Sequence, residues 1–171
     1  MGRLATSCIA AFLLSSCGGP IETRISSTGP GVAMPTSILA EKIEAAAPNA
    51  VARDMVVAKL EEKGFTLGGT GALQLHVAVS ERDAAISVAT DKSEISKAKQ
   101  RRPLQSCADK EYRLAVALSR ISDGALLYRG SAAEYHCKAT LAQAMPTLVA
   151  LALADLAAPK GDYALTRGGF E

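Results

Sequence analysis

The sequence predicts an α+β fold: an antiparallel sheet of about four strands with helices packed on one face. Three observations carry this expectation. Leu73, Leu75, Val77 and Val79 alternate with Gln74, His76, Ala78 and Ser80, a period of two that gives a strand one dry and one wet face. Tyr112, Leu114, Val116 and Leu118 repeat that period just before Ser122-Asp123-Gly124, which suits a three-residue hairpin loop with Gly124 in the left-handed position. Helical spacing governs Val51, Met55, Val56 and Leu60, and the nearly unbroken apolar run Thr147–Leu156 belongs in a buried helix.

Taken in chain order, the first segment reads as an address. Arg3 is followed by Leu4 to Leu14 without a charge. That run is too short for a permanent membrane span, which needs about 20 apolar residues. It has the length of a signal-peptide apolar region. It ends in Leu14-Ser15-Ser16-Cys17-Gly18, the pattern of a lipobox: an aliphatic residue, two small residues, and the cysteine whose thiol becomes a thioether to diacylglycerol. Acyl chains at Cys17 would hold the chain on a membrane, each buried CH₂ contributing about 0.8 kcal/mol. Gly18 rather than Asp after that cysteine points to the outer membrane, on its periplasmic side. Residues 1–16 are thus expected to be removed as a lipoprotein signal peptide. Residues 17–35, rich in Gly, Ser and Pro, read as a flexible tether, with Glu22–Thr28 as a candidate edge strand. Residues 36–171 have the length of a single α+β domain.

Within that domain Thr36 or Ser37 can cap a helix bearing Ile38, Leu39 and Ile43, which Pro48 interrupts. Asn49 can cap a second helix, Ala50–Lys63. Gly64 then sits at the left-handed C-terminal position, and Phe65 folds back on the last turn. After the Leu73–Val79 strand, Glu81–Asp83 read as a turn and Ala84–Thr90 as the returning strand, with Ile86 and Val88 inward. A polar link, Asp91–Lys110, leads to the second hairpin. The loop at Asp123-Gly124 pairs Leu118 with Tyr128 and Leu114 with Ala132, and leaves Arg129 on the wet face. Cys137–Ala158 is helical in composition, kinked or split at Pro146.

The net charge of +2 argues against a nucleic-acid binder. In an oxidising compartment Cys107 and Cys137 are expected to form a disulfide. The hairpin register agrees: Asp109 falls opposite Cys137, with Cys107 two residues along on the same face, a diagonal of roughly 7 Å that a bend can close. Cys8 lies in the removed segment. A metal site through Cys107, His136, Cys137 and His76 lacks the usual spaced ligand pairs, so no metal and no cofactor are expected. Gly68-Gly69-Thr70-Gly71 lacks the Lys-Ser/Thr ending of a phosphate loop and precedes a strand. No Gly-x-Ser-x-Gly is present, and neither His76 nor His136 has a nucleophile nearby in sequence, so no catalytic residue is assigned and the chain is expected not to be an enzyme. Lys92, Lys97, Lys99, Arg101 and Arg102 face only Asp91 and Glu94 in the polar link. The bland reading is a solvated loop. The sharper one makes Lys97, Lys99, Arg101 and Arg102 contacts for an anionic envelope polymer or a phosphate-bearing lipid.

The stretch Tyr112-Arg-Leu-Ala-Val-Ala-Leu-Ser-Arg-Ile-Ser-Asp-Gly-Ala-Leu-Leu-Tyr-Arg-Gly-Ser-Ala-Ala-Glu134 resembles a hairpin of small proteobacterial envelope lipoproteins, the domain-of-unknown-function 4136 family. Ala58-Lys-Leu-Glu-Glu-Lys-Gly-Phe65 followed by the Leu73–Val79 strand is similar too. The family commonly carries Trp where this chain has Tyr128, and the cysteine pair is no feature of the likeness. The resemblance implies location and fold and adds no catalytic residue. Together these readings describe a lipid-anchored outer-membrane lipoprotein serving as a periplasmic binding or assembly module, its partner an envelope protein or an anionic polymer. One alternative is a carrier of an apolar ligand such as a lipid, held between the Thr147–Leu156 helix and the sheet. The other is a small envelope hydrolase, whose sign would be a cleft joining His76 or His136 to a carboxylate and a hydroxyl.

Overall fold

The structure, a computed structural model, describes residues 20–39, 47–89, 94–96, 98–100 and 107–168. In chain order the elements are β1 (Ile21–Thr28), β2 (Ser37–Leu39), α1 (Ala47–Glu62), β3 (Thr66–Gly68), β4 (Leu73–Asp83), β5 (Val88–Ala89), β6 (Glu94–Ser96), β7 (Lys110–Arg120), β8 (Leu126–His136), α2 (Leu141–Ala152) and β9 (Gly161–Arg167). Seven strands form one mixed sheet in the order β3-β2-β4-β7-β8-β1-β9, and β5 and β6 pair separately. The expected antiparallel sheet of about four strands is therefore incorrect: β2 runs parallel to both β3 and β4.

The second hairpin forms in the register its turn dictates. Gly124 has φ of 70°, and Leu118 faces Tyr128 while Leu114 faces Ala132. The first expected hairpin does not form. β4 runs on through Glu81–Asp83 and pairs along its whole length with β7, from Leu73↔Arg120 to Asp83↔Lys110. That partner sets Leu114, Val116 and Leu118 beside Val79, Val77 and Leu75, whereas a local return could offer only Ile86 and Val88. Those two stay exposed, at 58% and 39%.

Ser37–Leu39 is a strand, not the start of a helix. Ile38 is fully buried, and the run is too short for periodicity to separate the two forms. A Cβ on Gly71 would lie 2.3 Å from the Leu39 nitrogen, so only glycine lets the chain pass β2 there. α1 begins before Pro48, which sits in the first turn where its missing N–H is not needed. Asn49 does not cap it. Its Oδ1 accepts from the Val79 amide at 2.9 Å. At the other end Phe65 N donates to Leu60 O and Gly64 N to Glu61 O, closing the helix around Gly64 at φ 88°. α2 starts at a Thr140–Gln143 capping box and runs unbroken through Pro146.

Eight residues of the stretch read as a tether, Ile21–Thr28, form the sheet strand β1. β1 lies between β8 and β9 and is not an edge. Ile21, Thr23, Ile25 and Ser27 all point inward and are buried. Composition hides this because two of the four are polar. Thr23 and Ser27 are satisfied by the buried carboxylates Glu134 and Asp155. Only residues 18–20 separate Cys17 from the sheet.

α1 and α2 pack against β4, β7 and β8, with Ala52, Val56, Leu60, Met145, Leu148 and Val149 set against Leu75, Leu114, Val116, Leu118 and Tyr128. The Tyr128 hydroxyl donates to Ala152 O at 2.6 Å. Gly130 permits that approach, since a Cβ there would lie 2.0 Å from the Ala152 oxygen and 2.3 Å from the Tyr128 hydroxyl. The Tyr128-Arg129-Gly130 run thus has a packing reason.

Candidate functional site

β8 continues its inward alternation from Ala132 to Glu134 and His136, and so carries a carboxylate into the dry side of the sheet. Glu134 is fully buried and His136 is 3% exposed. Three elements converge on the carboxylate. Thr23, its partner across β1, donates its hydroxyl. His136 Nε2 lies 2.8 Å from Oε2. Arg167 at the end of β9 donates from Nε to Oε1 at 3.2 Å and from Nη2 to Oε2 at 2.8 Å. Burial pushes the Glu134 carboxyl up, but the hydrogen bonds from His136, Arg167 and Thr23 outweigh it and hold the group at about 2. Tyr112 stacks on the imidazole with centroids 5.6 Å apart, and its hydroxyl donates to Ala139 O at 3.0 Å. A cavity of about 240 Å³ opens beside this cluster, lined by Ile21, His136, Lys138, Gln143 and Arg167 together with Ala139 and Ala144.

A carboxylate, an imidazole and a hydroxyl do meet here, but in the wrong order for nucleophilic chemistry. The buried Thr23 hydroxyl donates to Glu134, so the carboxylate and not the imidazole lies between the other two groups. His76 stands on the wet face of β4 with Nε2 3.4 Å from the Ser119 hydroxyl, and no carboxylate hydrogen-bonds to it among the described residues. Among the described residues no three His, Cys, Asp or Glu side chains are grouped to hold a metal ion.

At the same end of the sheet, on its other face, Glu111 is 2% exposed and receives Arg24, Arg82 and Arg113. Arg24 and Lys99 both lie over the Tyr135 ring, at 4.5 and 5.1 Å. Cys107 and Cys137 are joined as a disulfide with Cα atoms 5.6 Å apart, which ties the end of the polar link to the end of β8. Of the four basic residues expected to meet an anionic partner, Lys99 is engaged within the fold, its Nζ 2.7 Å from Asp109. Lys97, Arg101 and Arg102 lie outside the described residues, as does Cys17.

Sequence reasoning missed Glu134, Arg167 and Glu111. For Glu134 a signal was present. The hairpin register that pairs Leu114 with Ala132 puts Glu134 opposite Tyr112 on the dry face, where a charge demands partners. Arg167 left no such trace, because β9 went unrecognised.

At the opposite end of the sheet Asp155, 3% exposed, accepts from Ser27 at 3.0 Å and lies 3.1 Å from Lys160 Nζ. A groove of about 500 Å³ runs there between Gly31–Met34, Lys63, Phe65, Leu156 and Ala157.

No protein-family model and no curated protein matches the chain. Solved structures do. A PDZ domain protein from Parabacteroides distasonis is similar over 86% of this chain at 12% identity, with a TM-score of 0.58. This chain spans 38% of that protein's length, and the likeness is one of fold alone. Two crystal forms of a PelC dodecamer from Paraburkholderia phytofirmans match 81% of this chain and 99% of theirs, at 15% and 14% identity and TM-scores of 0.49.

Proposed function

We propose that this chain is a lipid-anchored outer-membrane lipoprotein that works as a non-catalytic binding or assembly module on the periplasmic side. The observation that carries the reading is the Cys107–Cys137 disulfide. Such bonds persist in oxidising compartments and are rare where thiols are kept reduced. It supports export independently of the Leu14-Ser15-Ser16-Cys17 pattern. The hairpin likeness to the domain-of-unknown-function 4136 lipoproteins fits the same location. Among the described residues β9 is one edge of the sheet, where a partner strand could add, with Leu165 46% exposed.

The test is expression of the full chain in a Gram-negative host with a labelled palmitate analogue. Label on the wild type, none on Cys17→Ala, and recovery in the outer-membrane fraction support the reading. An unlabelled chain with residues 1–16 still attached overturns it.

A carrier of an apolar ligand is the second reading, favoured by the 500 Å³ groove lined by Val32, Met34, Phe65 and Leu156. Native mass spectrometry showing a retained lipid would select it.

A further inference from the structure

We propose that the cavity lined by His136, Lys138 and Arg167 receives the phosphate of an anionic phospholipid headgroup, with the Ile21 end of the sheet seated on the membrane. The proposal rests on the lipid anchor at Cys17, and it deepens that reading by assigning an orientation and a ligand.

The sheet register fixes which residues share this end. Ile21 pairs with Arg167, Lys110 with His136, and Asp83 with Lys110. Thr28, Arg129, Tyr128 and Leu73 lie at the other end. Cys17 is four peptide steps from Ile21, and four residues span at most about 14 Å whatever their conformation. A lipidated Cys17 therefore holds this end within about one headgroup layer's reach of the bilayer. A tether of residues 17–35 would have let the domain stand far off and turn freely. The position of β1 removes that freedom.

The cavity has the chemistry such a position calls for. Lys138 makes no ion pair among the described residues. Arg167 is 39% exposed in its side chain and gives two of its donors to Glu134. Glu134 offsets one positive charge, so Lys138 is the surplus. Gln143 adds a polar side chain, and Ile21, Ala139 and Ala144 offer apolar wall to the glycerol and ester groups. Lys99 is held by Asp109, so the positive charge on offer at this end is that of Lys138 and Arg167 in the cavity itself. Charge complementarity to an anionic leaflet follows.

The experiment uses the mature full chain with Cys17→Ser, so that no acyl chain masks the contact. It is sedimented with phosphatidylcholine vesicles with and without phosphatidylglycerol. The expected result is binding that depends on phosphatidylglycerol and weakens with salt. Each basic residue near an anionic surface contributes about fivefold, so Lys138→Glu should weaken binding roughly 30-fold. Arg129→Glu makes the same charge change on an exposed residue at the far end of the sheet and should leave binding within about twofold of the parent. Both variants are checked for an unchanged melting curve. Equal binding to the two vesicle types, or equal loss in the two variants, overturns the proposal. Inorganic phosphate bound as tightly as the vesicles would make this a free-anion site and overturn the lipid assignment. Palmitate labelling of the wild type is scored separately, so a failed anchor and a failed headgroup site are told apart.

Discussion

Replacing Glu134 with Gln tests whether the buried cluster at the end of β8 is an ionised knot or a neutral one. Glutamine keeps the shape and can still accept from Thr23, but it removes the charge that His136 and Arg167 surround. The carboxyl sits at about 2 against an ordinary value of 4.5. At 1.36 kcal/mol per pH unit, that depression corresponds to stability on the order of 3 kcal/mol. The sign follows from its direction. A group depressed in the folded state stabilises fully above its unfolded value and loses that contribution as pH falls through the folded one. Urea unfolding of wild type and Glu134→Gln, followed by circular dichroism near pH 7, should therefore differ by about 3 kcal/mol. The gap should narrow from about pH 5 downward and close near pH 2. Subtracting the two proteins removes the titrations of the remaining carboxylates, which both share. A gap that stays constant from neutral pH to about pH 2, or that is below about 1 kcal/mol at neutral pH, would show that Glu134 is not held as a carboxylate by these partners.

The packing sets the remaining outcomes. Cys107→Ser with Cys137→Ser opens a loop of 30-residue separation and should cost about 4 kcal/mol in the chain-entropy account, read as a lower urea midpoint that dithiothreitol no longer changes. Gly130→Ala drives a methyl into the Ala152 carbonyl and the Tyr128 hydroxyl and should cost about 3 kcal/mol or more. Tyr128→Phe should cost about 1–2 kcal/mol by leaving that carbonyl unpaired. The double variant should destabilise less than the sum in thermal melts, because Phe removes one of the two collisions; strict additivity would refute the shared contact. Limited proteolysis of the mature chain should spare residues 21–28, whereas a tether would be cut within them.

How far the fold could be read in the sequence tracks how far each element speaks for itself. The β7–β8 hairpin was legible because one tight turn at Asp123-Gly124 fixes every pair above it. The end of α1 was legible because Gly64 closes it locally. β4 was legible as a strand but not in its partner: its neighbour lies far along the chain, and Ile86 and Val88 imitate a nearer one. β2 and β3 are three residues each, below the length at which any period shows.

β9 was missed, and β1, read as an edge strand within a tether, was misplaced; both have a different reason, which also hid the candidate site. Their inward faces mix apolar residues with Thr23, Ser27 and Arg167, side chains that make sense only beside Glu134 and Asp155 on other elements. A polar residue on a dry face looks like a loop when read alone and like half of a pair once its partner is known. The cluster that ties β1, β8 and β9 together is therefore what hid β9 and the interior place of β1. Placing β1 in the sheet shortens the link from Cys17 to three residues. On the lipid-anchored reading, the sequence error and the functional consequence have one cause: the carboxylate that draws Thr23 into the sheet also brings His136 and Arg167 to the end of the domain nearest the anchor.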